Sequence, residues 1–331
     1  MRKNSPFAFY FLYFAANSAL VPYIVLYYQA QHFNGAQIGL LTSLAPLLGM
    51  IGAPLWTGLA DATHRHRLIL SLAMLATIGI ALLYPLQTAF LPVVCVVIIF
   101  ALFSSPVIAF ADSATMGMLG GRRELFGRLR LGGTIGWGVA SLVIGALIEA
   151  HGLRLAFYLF AGLMFLAFLT GQALTFNRAP AGNSFITGAR QLLASGRFVR
   201  FLLMAVLCGI ALSTVNSYLF SYLAELQATE SMMGWAQTIS TISEFPVLLF
   251  SNRLLKRLKP SRMLVLGLLF TVVRLLLYGA LSTPQAVLVS QMMNGLTYAM
   301  IWVAGVSFAY QSAPPGMSAT GQGLFGAMVM G

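Results

Sequence analysis

The chain has 331 residues, of which 59% are hydrophobic and 8% charged, and its mean hydropathy is +0.86. A soluble globular domain carries roughly 25% charged residues, so a water-soluble fold is excluded and most side chains must face lipid or other helices. The formal net charge of +12 would point to nucleic acid in a soluble protein, but here its distribution reports membrane orientation instead.

Apolar stretches near the roughly 20 residues that cross a bilayer core recur along the chain. Ten complete spans are predicted at 7–29, 35–60, 68–87, 91–113, 131–149, 154–175, 199–224, 231–252, 263–282 and 285–309, and an eleventh begins near Ser318. Arg2 and Lys3 ahead of the first stretch resemble the start of a signal peptide. The apolar run is longer than the about 7–15 residues of a signal core and lacks a small-residue cleavage site, so it reads as a retained first helix. With a cytoplasmic N-terminus, 17 of the 19 Lys and Arg fall on the cytoplasmic side. Arg154 alone lies in an outer loop, beside the acids Glu149, Glu225 and Glu230, and Arg274 falls inside a span. This bias predicts a multi-pass protein of the cell's inner (plasma) membrane, its partners being the lipid bilayer and a small solute, not nucleic acid. Cys95 and Cys208 lie in apolar spans and behave as small hydrophobes.

The longest polar interruption, marked by Asn177, Pro180, Gly182, Asn183 and Ser184, divides the chain into a six-helix bundle at 1–175, a cytoplasmic linker at 176–198 and an incomplete second bundle at 199–331. The later linker, 188–200, is predicted to form a short basic surface helix. The halves repeat in the same orientation. Asn17, Ser18, Leu20 and Tyr23 return at an offset of 199 as Asn216, Ser217, Leu219 and Tyr222. At an offset of 195, Gly39, Leu59, Arg67, Leu82 and Thr88 return as Gly234, Leu254, Arg262, Leu277 and Thr283. Two parallel six-helix repeats place a cavity between them. Twelve helices complete such a pair, while the about 13 residues from Ser318 are too few to cross at 1.5 Å per residue. The expectation is therefore a truncated chain of low stability, acting as a monomer.

Between spans two and three stands Gly58-Leu59-Ala60-Asp61-Ala62-Thr63-His64-Arg65-His66-Arg67. It resembles the signature loop of the major facilitator superfamily, which implies an all-α polytopic fold. In that family the glycine permits close helix packing, and the acid and bases latch the closed state on the cytoplasmic side. The resemblance thus implies latch roles for Gly58, Asp61, Arg65 and Arg67, with His64 and His66 standing where the family usually has Gly or a base. Asp112-Ser113-Ala114-Thr115, Phe126 to Gly136, and Glu244-Phe245-Pro246 are similar to the sugar and nucleoside proton symporter branch. That branch often carries a proton-coupling histidine or acid on span ten; this chain has none there.

A charged side chain within a span costs at least about 2.5–3.5 kcal/mol and marks a partner or a pathway. Asp112, Glu244 and Arg274 are such residues. Arg274 stands where the first repeat has Gly79, so Glu244 and Arg274 are expected either to exchange partners with solute and proton or to form a permanent ion pair. Asp112 is expected to pair with Arg128 or Arg130 in a gating role. Asn17 and Asn216 offer amides to a polar solute, or equally to a neighbouring helix. Asn294, Tyr298 and Trp302 recur at i, i+4 and i+8 and are expected on one face, for ring stacking or for plain packing. The glycines of span five permit close helix approach.

An intramembrane enzyme would need a metal or nucleophile motif within the spans, and neither HExxH nor GxSxG occurs; a receptor or channel has less support. The expectation is a secondary transporter of a small polar solute working by alternating access. It would be a proton-coupled symporter of a sugar, nucleoside or aromatic acid, or else an exporter or uniporter. No metal or organic cofactor is predicted.

Overall fold

The computed structural model describes residues 5–119, 126–176, 192–312 and 318–330, without the side chains of 54, 61, 252, 318–320, 322, 323 and 330. The linker over 177–191 and the carboxyl group of Asp61 lie outside the described part. Two compact units form, Met1–Arg178 with Thr229–Thr238, and Ala179–Ala228 with Ile239–Gly331.

The first unit contains α1 (Ser5–Leu20), α2 (Ile24–Ala30), α3 (Gly35–Thr63), α4 (His66–Leu83), α5 (Phe90–Leu119), α6 (Phe126–His151) and α7 (Leu155–Gly171). The second contains α8 (Gly196–Glu225), most of α9 (Glu230–Leu249), α10 (Ser251–Leu258), α11 (Pro260–Ala280), α12 (Pro284–Ser290), α13 (Met300–Ser312) and α14 (Ser318–Met330). Eight helical stretches among the described residues are long and apolar enough to cross a membrane. Of the other expected spans, α7 is 17 residues long, and α9 carries Gln237, Thr238, Ser240, Thr241, Ser243 and Glu244, which lower its hydropathy. Among the described residues the regular structure is all helical.

Several boundaries differ from the sequence expectation. Span one is divided by a turn at 21–23, and span eight stops at Leu249, with the unforeseen short helix α10 after it. Residues 196–200, expected in a surface helix, already belong to α8, while Arg128 and Arg130 lie inside α6 rather than ahead of it. Polar flanks hide such continuations because hydropathy, unlike backbone hydrogen bonding, ends at the first charged residue.

In the first unit α1 packs on α6 and α7, α3 on α5, and α4 on both α5 and α7. The α1–α6 contact depends on missing side chains. A Cβ at Gly132 would lie 2.6 Å from the Phe7 carbonyl oxygen, one at Gly133 would lie 2.5 Å from the Phe14 ring, and one at Gly136 would enter the Phe11 backbone. Gly145 meets Gly234 at the start of α9 in the same manner.

The repeat extends into backbone conformation. Among the described residues the non-glycine positions with positive φ are His32 (61°), His64 (56°), Gln227 (61°) and Lys259 (60°), which form two pairs at the 195 offset. Asn34 caps α3 through the Gln37 amide at 2.9 Å, and the corresponding Thr229 receives the Met232 amide at 3.3 Å. His64 is the left-handed residue that ends α3, a place where glycine carries no Cβ penalty.

Two outcomes follow for thermal melting in detergent. Gly136→Leu is expected to destabilise by about 1–3 kcal/mol or more through overpacking of α1 on α6, lowering the midpoint. His64→Gly is expected to raise it, by up to about 1 kcal/mol, because relief of left-handed strain exceeds the entropy that glycine costs.

Candidate functional site

The second unit builds a polar network around one buried cation. Arg274 on α11 is 2% exposed, with its guanidinium turned towards span ten. Its Nε donates to the Tyr278 hydroxyl at 2.8 Å, one turn further along the same helix. One terminal nitrogen donates to Asn294 Oδ1 at 2.8 Å and Thr297 Oγ1 at 3.2 Å, the other to Gln291 Oε1 at 2.5 Å. The planar fork of an arginine suits several fixed acceptors at once.

Local winding brings these acceptors together. Gln291 begins a 3₁₀ turn, Gln291–Met293, in which side chains three apart eclipse, so that Gln291 and Asn294 address the same cation. A π-helical turn, Gly295–Ala299, follows. The Gly295 amide donates to Ser243 Oγ at 3.0 Å, and a Cβ there would enter the Ser243 backbone; only glycine lets span ten approach α9 so closely. That approach sets Asn294 against Glu244, with Nδ2 donating to Glu244 Oε1 at 2.8 Å. Gln291 is fully buried, its Nε2 donating to the Tyr278 hydroxyl and the Val287 carbonyl, each at 3.0 Å, while Oε1 also receives Ser240 Oγ at 3.1 Å.

Two expectations are corrected here. Glu244 and Arg274 form no direct ion pair, because Asn294 stands between them and bonds both. Nor do Asn294, Tyr298 and Trp302 share one set of partners. Tyr298 and Trp302 stack at 6.1 Å and pack on the core of the unit, Trp302 also against Phe325, whereas Asn294 serves the charged network.

The first unit holds a different polar cluster. Arg130 on α6, not Arg128, meets Asp112 on α5 at 3.3 Å, the one ion pair among the described residues. The Tyr10 hydroxyl donates to the same Asp112 oxygen at 2.6 Å and lies 3.3 Å from Thr115 Oγ1. The Arg130 guanidinium lies 5.4 and 5.1 Å from the Tyr10 and Phe14 ring centres, within cation–π range. The Arg130 and Asp112 side chains are 34% and 38% exposed, in contrast to Arg274.

The remaining candidates are scattered. Asn17 donates to the Tyr13 carbonyl of its own helix at 2.8 Å, and Asn216 is exposed. In the signature loop, Arg65 is exposed and Arg67 bonds the carbonyls of Gln172 and Leu174 just after α7, with His66 stacked on Phe176 at 5.5 Å. Among the described residues nothing lies within 4 Å of where a Cβ at Gly58 would stand. Sequence reasoning missed Gln291, Tyr278, Thr297 and Tyr10. Tyr278 lies four residues beyond Arg274 and Gln291 three before Asn294, spacings that were available to it; Tyr10 had no local signal.

Over residues 7–331 the chain matches the MFS_1 like family. The chain belongs to that family. It is a multi-pass secondary transporter of the major facilitator superfamily, acting on a small-molecule solute. The transporter is 30% identical to a maltose permease of Geobacillus stearothermophilus, over 97% of this chain and 82% of the relative. It is 26% identical to the multidrug resistance protein MdtG of Salmonella paratyphi A, over 83% of this chain and 71% of the relative. Its fold superposes on a crystal structure of a mutant of the nucleoside transporter NupG with a TM-score of 0.86 at 19% identity, covering 100% of this chain and 88% of the other.

Arg274→Lys tests the network as a unit. Lysine has three donors and no fork, so buried acceptors lose their partner at about 1–3 kcal/mol each. The expected result is a lower melting midpoint in detergent, with Thr297→Val, which removes one weaker bond, costing less.

Proposed function

We propose that this transporter imports a hydroxyl-rich solute, a sugar or a nucleoside, together with a proton by alternating access, with Glu244 as the proton-binding group and the N-terminus in the cytoplasm. One observation carries the reading. The carboxyl group of Glu244, on the helix expected as span eight, is held by the neutral amide of Asn294 and separated by it from Arg274. A carboxyl group so placed exchanges its proton without the dismantling of a direct ion pair. The positive-inside bias supports the orientation.

For the solute, the Asp112–Arg130–Tyr10 cluster is favoured over Arg274 because its charged atoms are partly exposed. A carboxylate accepts from hydroxyl groups and a guanidinium donates to them, while a tyrosine face packs on a sugar or base ring. The likeness to a maltose permease and to the fold of a nucleoside transporter supports that solute class. Exposed Asn216 adds an amide of suitable chemistry.

The test is external pH during addition of maltose, uridine or an aromatic acid, one at a time, to de-energised cells expressing the transporter. Alkalinisation is expected with one of the first two, and its loss in Glu244→Gln, with solute exchange retained. Silence across the panel would instead favour export or uniport, to be followed by efflux from loaded cells.

A further inference from the structure

Asn294 is the group, among the described residues, that bonds both Glu244 and Arg274. Chemistry fixes which way its amide faces. A guanidinium only donates and a carboxylate only accepts, so the oxygen must turn to Arg274 and the nitrogen to Glu244, as observed. Gln291 has no such freedom, because its oxygen and nitrogen each already serve two partners in a fully buried place. Asn294 is only half-buried and makes one bond from each end of its amide.

Proton binding at Glu244 changes what this amide faces. The charge-assisted bond, roughly twice as strong as a neutral one, is lost, and the new carboxyl O–H needs an acceptor. The oxygen of Asn294 is the adjacent acceptor, and it is occupied by Arg274. If the amide turns to receive the carboxyl proton, its NH₂ group is brought against a guanidinium N–H, donor against donor, and that hydrogen bond to Arg274 breaks. The charged and titratable groups on this side are Arg274 and Tyr278, both from α11; span ten contributes the neutral Gln291, Asn294 and Thr297, and α9 the neutral Ser240 and Ser243. The π-helical turn beginning at Gly295 gives the backbone beside Asn294 a wider, less regular winding, of the sort that recurs at functional sites.

We propose that Asn294 is a positioning residue that converts proton binding at Glu244 into release of Arg274 by turning its amide. The inference rests on the reading of proton coupling above. It assigns to a neutral side chain the step that passes proton binding on to the buried cation, ahead of any effect on the solute.

The experiment uses the full chain in proteoliposomes, with radiolabelled maltose and uridine as probes and two readouts, exchange at equal pH and accumulation driven by an inward proton gradient. In the wild type, apparent solute affinity is expected to change between about pH 5.5 and about pH 8.5 by the about 5- to 150-fold typical of coupled sites. Asn294→Ala is expected to retain exchange but lose this pH dependence and the gradient-driven accumulation. Thr297→Val, which removes a different Arg274 bond, is expected to keep the pH dependence, and Asn294→Gln, which keeps an amide, to restore part of it. Where Asn294→Ala does not reconstitute, Asn294→Ser, polar but without an amide to turn, is read in the same way. A wild-type pH profile in Asn294→Ala or Asn294→Ser overturns the proposal, as does equal loss in Thr297→Val. Absence of any pH dependence in the wild type, with transport of either probe present, overturns proton coupling itself and this assignment with it.

Discussion

A single buried guanidinium organises the second unit. Placing Arg274 inside a membrane span is costly, and that cost is met only if its donors find acceptors. Tyr278, Gln291, Asn294 and Thr297 supply them, and span ten departs from regular α-helical winding where it does so. In an unbroken α-helix, residues 291 and 294 would point about 60° apart at 3.6 residues per turn. The tight turn eclipses them and the wide turn after it resumes the helix with Tyr298 and Trp302 on the core.

The two charged clusters solve the same problem differently. In the first unit a cation and an anion meet directly, partly open to their surroundings and bordered by aromatic faces. In the second, neutral amides and hydroxyls solvate the cation and leave the acid at one remove. The first arrangement leaves its charges partly exposed; the second satisfies a buried charge through neutral partners.

The sequence made the membrane class and the superfamily legible, because each is written in hydropathy, charge and motif. It also marked Glu244, Arg274 and Asp112, since a charge in an apolar run is conspicuous. What it hid was pairing. Arg128 and Arg130 are equal candidates in sequence, and only helix rotation selects Arg130. Gln291 reads as an ordinary polar residue until a 3₁₀ turn aims it, and Tyr10 is one aromatic among many until α1 settles on the glycines of α6. Asn294, Tyr298 and Trp302 are equivalent in spacing, and only their partners show that the ring pair packs on the core while Asn294 serves the charged network.

The paired residues of positive φ have a historical meaning. His32 and Gln227, and His64 and Lys259, share a positive φ at matched positions although their side chains differ, even where ψ does not agree, 25° at His64 against 148° at Lys259. Shape that outlives residue type is what gene duplication leaves behind. Measured against that inheritance, Glu244, Arg274 and Asn294 lie opposite Gly49, Gly79 and Ile99 of the other copy. The network thus has no counterpart at the matched positions of the first half, whereas the turns that frame it do.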